Sequence, residues 1–287
     1  MSTFFYIAIL VCIILSYFTM GVYYLWISFI AMFPKVQRCK ELPYRADMDI
    51  TFFMVIPCLN EEGVIVQAVR SVLAANMPHT RVIVVDDASD DHSVLNLRTA
   101  FGELLHTIEA AALDGDAVLR AGRITVLQRR LPEARLGKGE SLNCAYRLID
   151  KIIRQEGLDP ASCVMSVLDA DSYVNRRTLE RAAVILATEP NVGMVQARLR
   201  IGTLTRDWFL PLFQDIEFFI YINNMQNLRE YTGTVSAAGN GQFNRFSAID
   251  PETPWTDCLL DDYDFSLRLL LKGGRTRLLQ EEQVYQQ

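Results

Sequence analysis

The chain is short of histidine, of paired cysteine and of net positive charge, and its first 34 residues carry no charged side chain at all. The three histidines, His79, His92 and His106, stand apart from one another and read as surface residues. The six cysteines (Cys12, Cys39, Cys58, Cys144, Cys163 and Cys258) include no C-x-x-C pair and no metal spacing. That scatter excludes a zinc ribbon and a disulfide framework, and it fits reduced thiols. Acidic residues outnumber basic ones, 34 to 28, for a formal net charge of -6. A nucleic-acid partner would want the opposite, a basic field, so none is expected. Repeats and low-complexity tracts are missing too. The 287 residues suffice for one large domain with a sizeable core.

The uncharged start is informative by its length. From Phe4 to Phe33 the chain is dominated by Phe, Ile, Leu, Val, Tyr and Trp. About 20 helical residues cross a bilayer core, so residues 1–34 are expected to be a transmembrane anchor. A cleaved signal peptide would need a basic leading segment, a shorter apolar stretch and a small-residue cleavage site, and none of these is evident. Lys35, Arg38 and Lys40 follow the span directly. The positive-inside rule then puts the amino terminus outside and the rest in the cytoplasm, at the cell membrane. Residues 35–49 read as a juxtamembrane linker and 50–287 as the folded domain.

That domain alternates. Ile50 to Ile56 is a continuous apolar run ended by Pro57, the pattern of a strand buried on both faces. Glu61 to Ala75 has helical spacing, Arg81 to Val85 is a second strand stopped by Asp86 and Asp87, and Ser93 to Ala121 is weakly patterned and partly helical. Ile124 to Leu127 is a third strand. Ser141 to Glu156 is an amphipathic helix with Leu142, Ala145, Ile149, Ile152 and Ile153 on one face, and Val164 to Leu168 is a fourth strand. The order predicts an α/β fold with a mostly parallel open sheet, helices on both faces, and ligands at the carboxyl ends of the strands.

The polar clusters fall at those ends. Asp169 and Asp171, at i and i+2 after a buried strand, can hold a hard divalent cation jointly, and that cation can hold a diphosphate. Lys138 stands between Gly137 and Gly139, whose lack of side chains lets a phosphate come close. Asp86 and Asp87, at the end of the second strand, can cap the turn at Ala88 to Asp91.

Taken together, Val55-Ile56-Pro57-Cys58-Leu59-Asn60-Glu61-Glu62, Val84-Val85-Asp86-Asp87, Gly137-Lys138-Gly139-Glu140-Ser141-Leu142-Asn143, Leu168-Asp169-Ala170-Asp171 and Leu260-Asp261-Asp262-Tyr263-Asp264 resemble glycosyltransferase family 2 and its GT-A nucleotide-sugar domain. The resemblance covers about Ile50 to Gly274, and the chain is similar to the cellulose, chitin and hyaluronan synthase branch. It implies that Pro57, Asn60 and Glu62 lie beside the nucleoside, that Asp87 or Asp86 holds the base, and that Lys138 and Asp169 meet the diphosphate. It implies Mg2+ or Mn2+ on Asp169 and Asp171. It makes Asp262 the base that deprotonates the acceptor hydroxyl, with Asp261 or Asp264 as alternatives, and a single displacement then inverts the anomeric centre. Gly239, Asn240, Gly241 and Gln242 resemble the segment that lines the acceptor pocket. Trp208 to Tyr231 is unusually aromatic and suits either an interfacial helix or a packed core.

Two features depart from the family pattern. The T-E-D triplet reads Leu260-Asp261-Asp262, and no Q-x-x-R-W motif follows before Gln287. A chain truncated at its carboxyl end, or a short non-processive relative, is therefore expected. The expected activity is an inverting transferase that passes a sugar from a nucleoside diphosphate, UDP in the first instance, to a growing polysaccharide at the cytoplasmic membrane face. A lipid-linked acceptor such as a polyprenyl phosphate is the first rival, and a nucleotide-binding pseudoenzyme or subunit is the second.

Overall fold

The structure, a computed structural model, describes residues 3–31, 42–45, 47–101, 106–107, 117–201 and 222–286. The aromatic segment from Trp208 lies outside them up to residue 221. Helix α1 (Thr3–Ala31) contains a 22-residue window, Phe5–Trp26, long and apolar enough to cross a membrane. None of that window is buried, as a core helix would be. It lies alongside α6 (Asn223–Thr232).

The domain is built on one sheet, ten-stranded among the described residues: β1 (Thr51–Cys58), β2 (Thr80–Asp86), β3 (His106–Thr107), β4 (Ala117–Ala121), β5 (Ile124–Gln128), β6 (Cys163–Val167), β7 (Ser172–Tyr173), β8 (Val192–Ile201), β9 (Gln242–Arg245) and β10 (Arg275–Gln286). Their order across the sheet is β3-β4-β5-β2-β1-β6-β9-β8-β10-β7. Strand β1 shows why the core has two layers. Phe52, Met54 and Ile56 face one side, where α2 (Ile65–Ala74) and α5 (Arg176–Thr188) supply Ile65, Val69, Leu179 and Ala182. Phe53 and Val55 face the other, under Leu142, Ala145 and Ile149 of α4 (Lys138–Glu156) and Phe265 and Leu269 of α7 (Asp261–Leu271). The period-two alternation of a strand thus feeds both layers, and the apolar face expected of α4 is the buried one.

The mostly parallel sheet expected from the sequence is corrected to a mixed one. Strands β5, β2, β1 and β6 run parallel, but β9 enters antiparallel between β6 and β8, and β4 runs antiparallel to β5. The loop before β9 causes the insertion. Gly241 N–H donates to the Val167 carbonyl, so β9 extends back down β6 from the end where β6 stops. Pro57 does not end β1 either. It sits beyond the last residue of β1 that pairs with β6, while pairing with β2 continues to Cys58. Helix α3 (Ser93–Phe101) and strand β4 both come from the weakly patterned stretch. A buried ion network ties α6 to β10. Arg277 Nε donates to Glu230 Oε1 at 2.6 Å, Leu278 N–H donates to Glu230 Oε2 at 2.7 Å, and Arg277 also pairs with Glu189.

Candidate active site

The parallel register sets the site. Cys58, Asp86 and Gln128 lie abreast at the carboxyl ends of β1, β2 and β5, and β6 ends beside them two residues before Asp169. A cavity of about 450 Å3 opens there, lined by Pro57, Cys58, Leu59, Glu61, Asp87, Arg135, Gly137, Lys138, Ser141 and the Asp169–Asp171 turn. The loops after β1 and β2 brace each other. Asn60 N–H donates to Ser89 Oγ, Asp90 N–H to Asn60 Oδ1, and Glu62 N–H to Asp91 Oδ2. Glu62 itself holds His92 through its backbone N–H and ring at 2.9 Å. The side chains of Asn60 and Glu62 are therefore engaged in loop bracing, and it is Glu61 that lines the cavity. Burial, and then the neighbouring Asp171, Asp91 and Asp169, push the Glu61 carboxyl above its ordinary range.

The two strand-end aspartates differ. Asp87 is bound by the buried Arg129 guanidinium at 2.6 Å and by Arg135 N–H at 3.0 Å, and it borders the cavity. Arg129 is anchored further on the Glu133 carbonyl and on Ser141 Oγ. Asp86 is buried beside Ser89, and burial raises its pKa. Arg129 was not singled out from sequence, though a charge directly after the last residue of β5 is a readable signal.

On the opposite wall, Lys138 at the start of α4 donates from Nζ to Asp169 Oδ1 at 2.7 Å and to the Gly239 carbonyl at 2.6 Å. Asn240 braces the aspartate turn. Its Oδ1 accepts from Asp169 N–H at 3.2 Å and its Nδ2 donates to Ser172 Oγ at 2.8 Å. Gln196 pins the same segment through Asn240 O and Ala238 N. A polar residue within the otherwise apolar residues 192–197 of β8 was the signal for it. Asn240 and Gln242 are both buried, so in the segment from Gly239 to Gln242 these two side chains face the protein.

Gly239 is where the site converges. Its φ is +74°, and a Cβ placed there would lie 2.5 Å from Asp262 Oδ2 and 3.6 Å from Lys138 Nζ. Glycine alone fits both the backbone and the approach. Asp262, in the first turn of α7, accepts from Gln242 Nε2 at 3.0 Å and Trp255 Nε1 at 3.4 Å. Burial raises its pKa, the Lys138 ammonium opposes that rise, and Asp261 adds to it. Asp264 is instead tied to Thr256 Oγ1 and Arg268 Nε, both at 2.8 Å. Asp261 borders a second cavity of about 380 Å3 across the Gly137–Gly139 segment, with Glu140, Asp257 and Leu259.

The family profile named Glycosyl transferase family 2 matches residues 53–250, more than two thirds of the chain. The chain belongs to this family. Its domain is a glycosyltransferase domain with a GT-A-like α/β fold. The mannosyltransferase PcManGT from Pyrobaculum calidifontis, solved with GDP-Man and Mn2+, superposes with a TM-score of 0.61 at 17% identity, covering 97% of this chain and 68% of that one. TarS 1-349 from S. aureus, solved with UDP, superposes with a TM-score of 0.51 at 18% identity, covering 82% of this chain. The chain spans 60% of the length of that TarS structure. Both likenesses are likenesses of fold. No curated protein matches the chain in sequence.

Proposed function

We propose that this family 2 domain transfers a sugar from a nucleoside diphosphate to an acceptor hydroxyl with inversion, at the cytoplasmic face of a membrane that α1 crosses. The observation that carries this reading is the cavity at the strand ends, lined by Pro57, Glu61 and Asp87 on one side and by Lys138, Asp169 and Asp171 on the other, with Lys138 joining Asp169 to the Gly239 carbonyl and Asp262 lying against that glycine. One wall suits a nucleoside, with Asp87 as the acceptor for its base. The other suits a diphosphate and an attacking hydroxyl.

Asp169 and Asp171 supply two carboxylates, and among the described residues no group of three acidic, His or Cys side chains forms a complete metal cage. Such a partial set fits Mg2+ or Mn2+, which keep water and phosphate oxygens in their shell, and does not suit zinc. When bound, the ion would act as a Lewis acid on the departing nucleoside diphosphate. Lys138 would turn from Asp169 toward the phosphates and neutralise part of their charge. Asp262 would take the proton as the acceptor oxygen attacks the anomeric carbon and the bond to the diphosphate breaks. Its raised pKa brings its basicity nearer the operating pH.

The second cavity supports a neutral, hydroxyl-bearing saccharide as the acceptor. Asp257 and Asp261 face it with Lys138 as the cation on its lining, which disfavours a phosphate there. The test is product analysis from membranes carrying the full chain, given UDP-glucose, UDP-N-acetylglucosamine or GDP-mannose. A saccharide product of inverted anomeric configuration, absent in Asp262→Asn, supports the reading. A single-sugar lipid product refutes the polysaccharide acceptor, and retained configuration refutes the single displacement.

A further inference from the structure

The two oxygens of Asp262 are held unequally. Oδ1 accepts from both Gln242 Nε2 and Trp255 Nε1. Among the described residues Oδ2 accepts no hydrogen bond and lies against Gly239. Both donors are themselves fixed. Trp255 stacks on Phe265 with centroids 4.9 Å apart and planes 8° apart, and its backbone N–H donates to Asn143 Oδ1 at 2.9 Å. Gln242 is fully buried on β9. Among the described residues its Oε1 has no hydrogen-bond partner, and neither amide atom of Asn244 has one. These two residues are two apart on one strand, so they share the sheet face beneath α7. The Gln242 amide turns its nitrogen toward the carboxylate, since the flipped amide would set oxygen against oxygen.

We propose that Gln242 and Trp255 are positioning residues that clamp Asp262 by Oδ1, so that Oδ2 alone is presented to the acceptor hydroxyl. The inference rests on Asp262 being the base, and it gives the buried Gln242 a role that an acceptor contact cannot. Lys138 from α4 and Asp261 from α7 are the charged groups facing the carboxylate. Both clamp donors favour its ionised form.

The test follows Asp262 itself. The full chain in detergent is labelled with 13C at the aspartate carboxyl carbon, and the Asp262 resonance is assigned by its loss in Asp262→Asn. In Gln242→Met and in Trp255→Phe, the titration midpoint of that resonance should move up from its wild-type position. Turnover, read as nucleotide release from the donor active in membranes, should fall roughly 10- to 100-fold in Gln242→Met while donor KM stays within about twofold. Trp255→Phe keeps the stack on Phe265 and carries the test alone if Gln242→Met does not fold. A midpoint unmoved in both variants, or a donor KM that rises in step with the loss, overturns the clamp. Failure of the base assignment looks different, because Asp262→Asn would then keep its turnover whatever the midpoints do.

Discussion

Substituting Gly239 by alanine separates site geometry from stability. At φ +74° an alanine sits in the left-handed region, at a cost of about 1–2 kcal/mol. The new Cβ would also stand 2.5 Å from Asp262 Oδ2, so that oxygen must retreat about 0.9 Å to reach the 3.4 Å of ordinary contact. It cannot retreat freely, because Oδ1 is bonded to Gln242 and Trp255. The carboxylate therefore twists or leaves its donors, and misplacement on the order of 1 Å costs about 100-fold in rate. Gly122→Ala is the control. It has φ +55° and, among the described residues, nothing within 4 Å of the added carbon, so it carries a comparable backbone cost and no clash with them. Nucleotide release, calorimetric nucleotide binding and thermal unfolding should be measured on both. The expected result is a similar loss of stability in the two, unchanged binding in both, and loss of turnover only in Gly239→Ala. Turnover above about a third of wild type in Gly239→Ala would refute the placement of Asp262 against this glycine.

Three further outcomes are expected. Arg129→Met leaves the Asp87 carboxylate buried without its cation and should cost about 3–5 kcal/mol in denaturant unfolding, with much of it restored in Arg129→Met/Asp87→Asn; a single-mutant cost near zero contradicts the buried pair. Because burial raises the Asp262 pKa, folding disfavours its ionised form. Asp262→Asn should then match wild type in stability below the ordinary aspartate range and exceed it increasingly as pH rises through the folded-state value, and equal pH profiles would contradict the burial. Burial pushes the Cys58 and Cys163 thiols up to about 12, so a maleimide should label exposed Cys258 and spare both in folded protein; labelling of either would contradict their depth.

Much of the site was legible because its residues sit at the ends of apolar runs. Asp86, Asp87 and Asp169 follow β2 and β6 as the run lengths implied, and parallel register brings them to one edge. What escaped was set by tertiary pairing. Nothing local to Gln242–Arg245 says that this strand enters antiparallel beside β6, so the mixed sheet was not readable. Nor could neighbours such as Glu61 and Glu62 be told apart, since which one faces the cavity depends on Asp91 and His92 holding the other outward. Gln242 shows the same limit. The resemblance implied that it lines the acceptor pocket, while strand alternation turns its side chain under α7.

The central claim is that Asp169 and Asp171 hold a nucleoside diphosphate through a divalent cation. The most direct test is calorimetric titration of UDP and GDP into the full chain, with and without Mn2+, beside Asp169→Ala/Asp171→Ala. Binding of one nucleotide that requires the metal and disappears in the double variant is the result the account requires. Equal binding without metal, or binding that survives in a folded double variant, would contradict it.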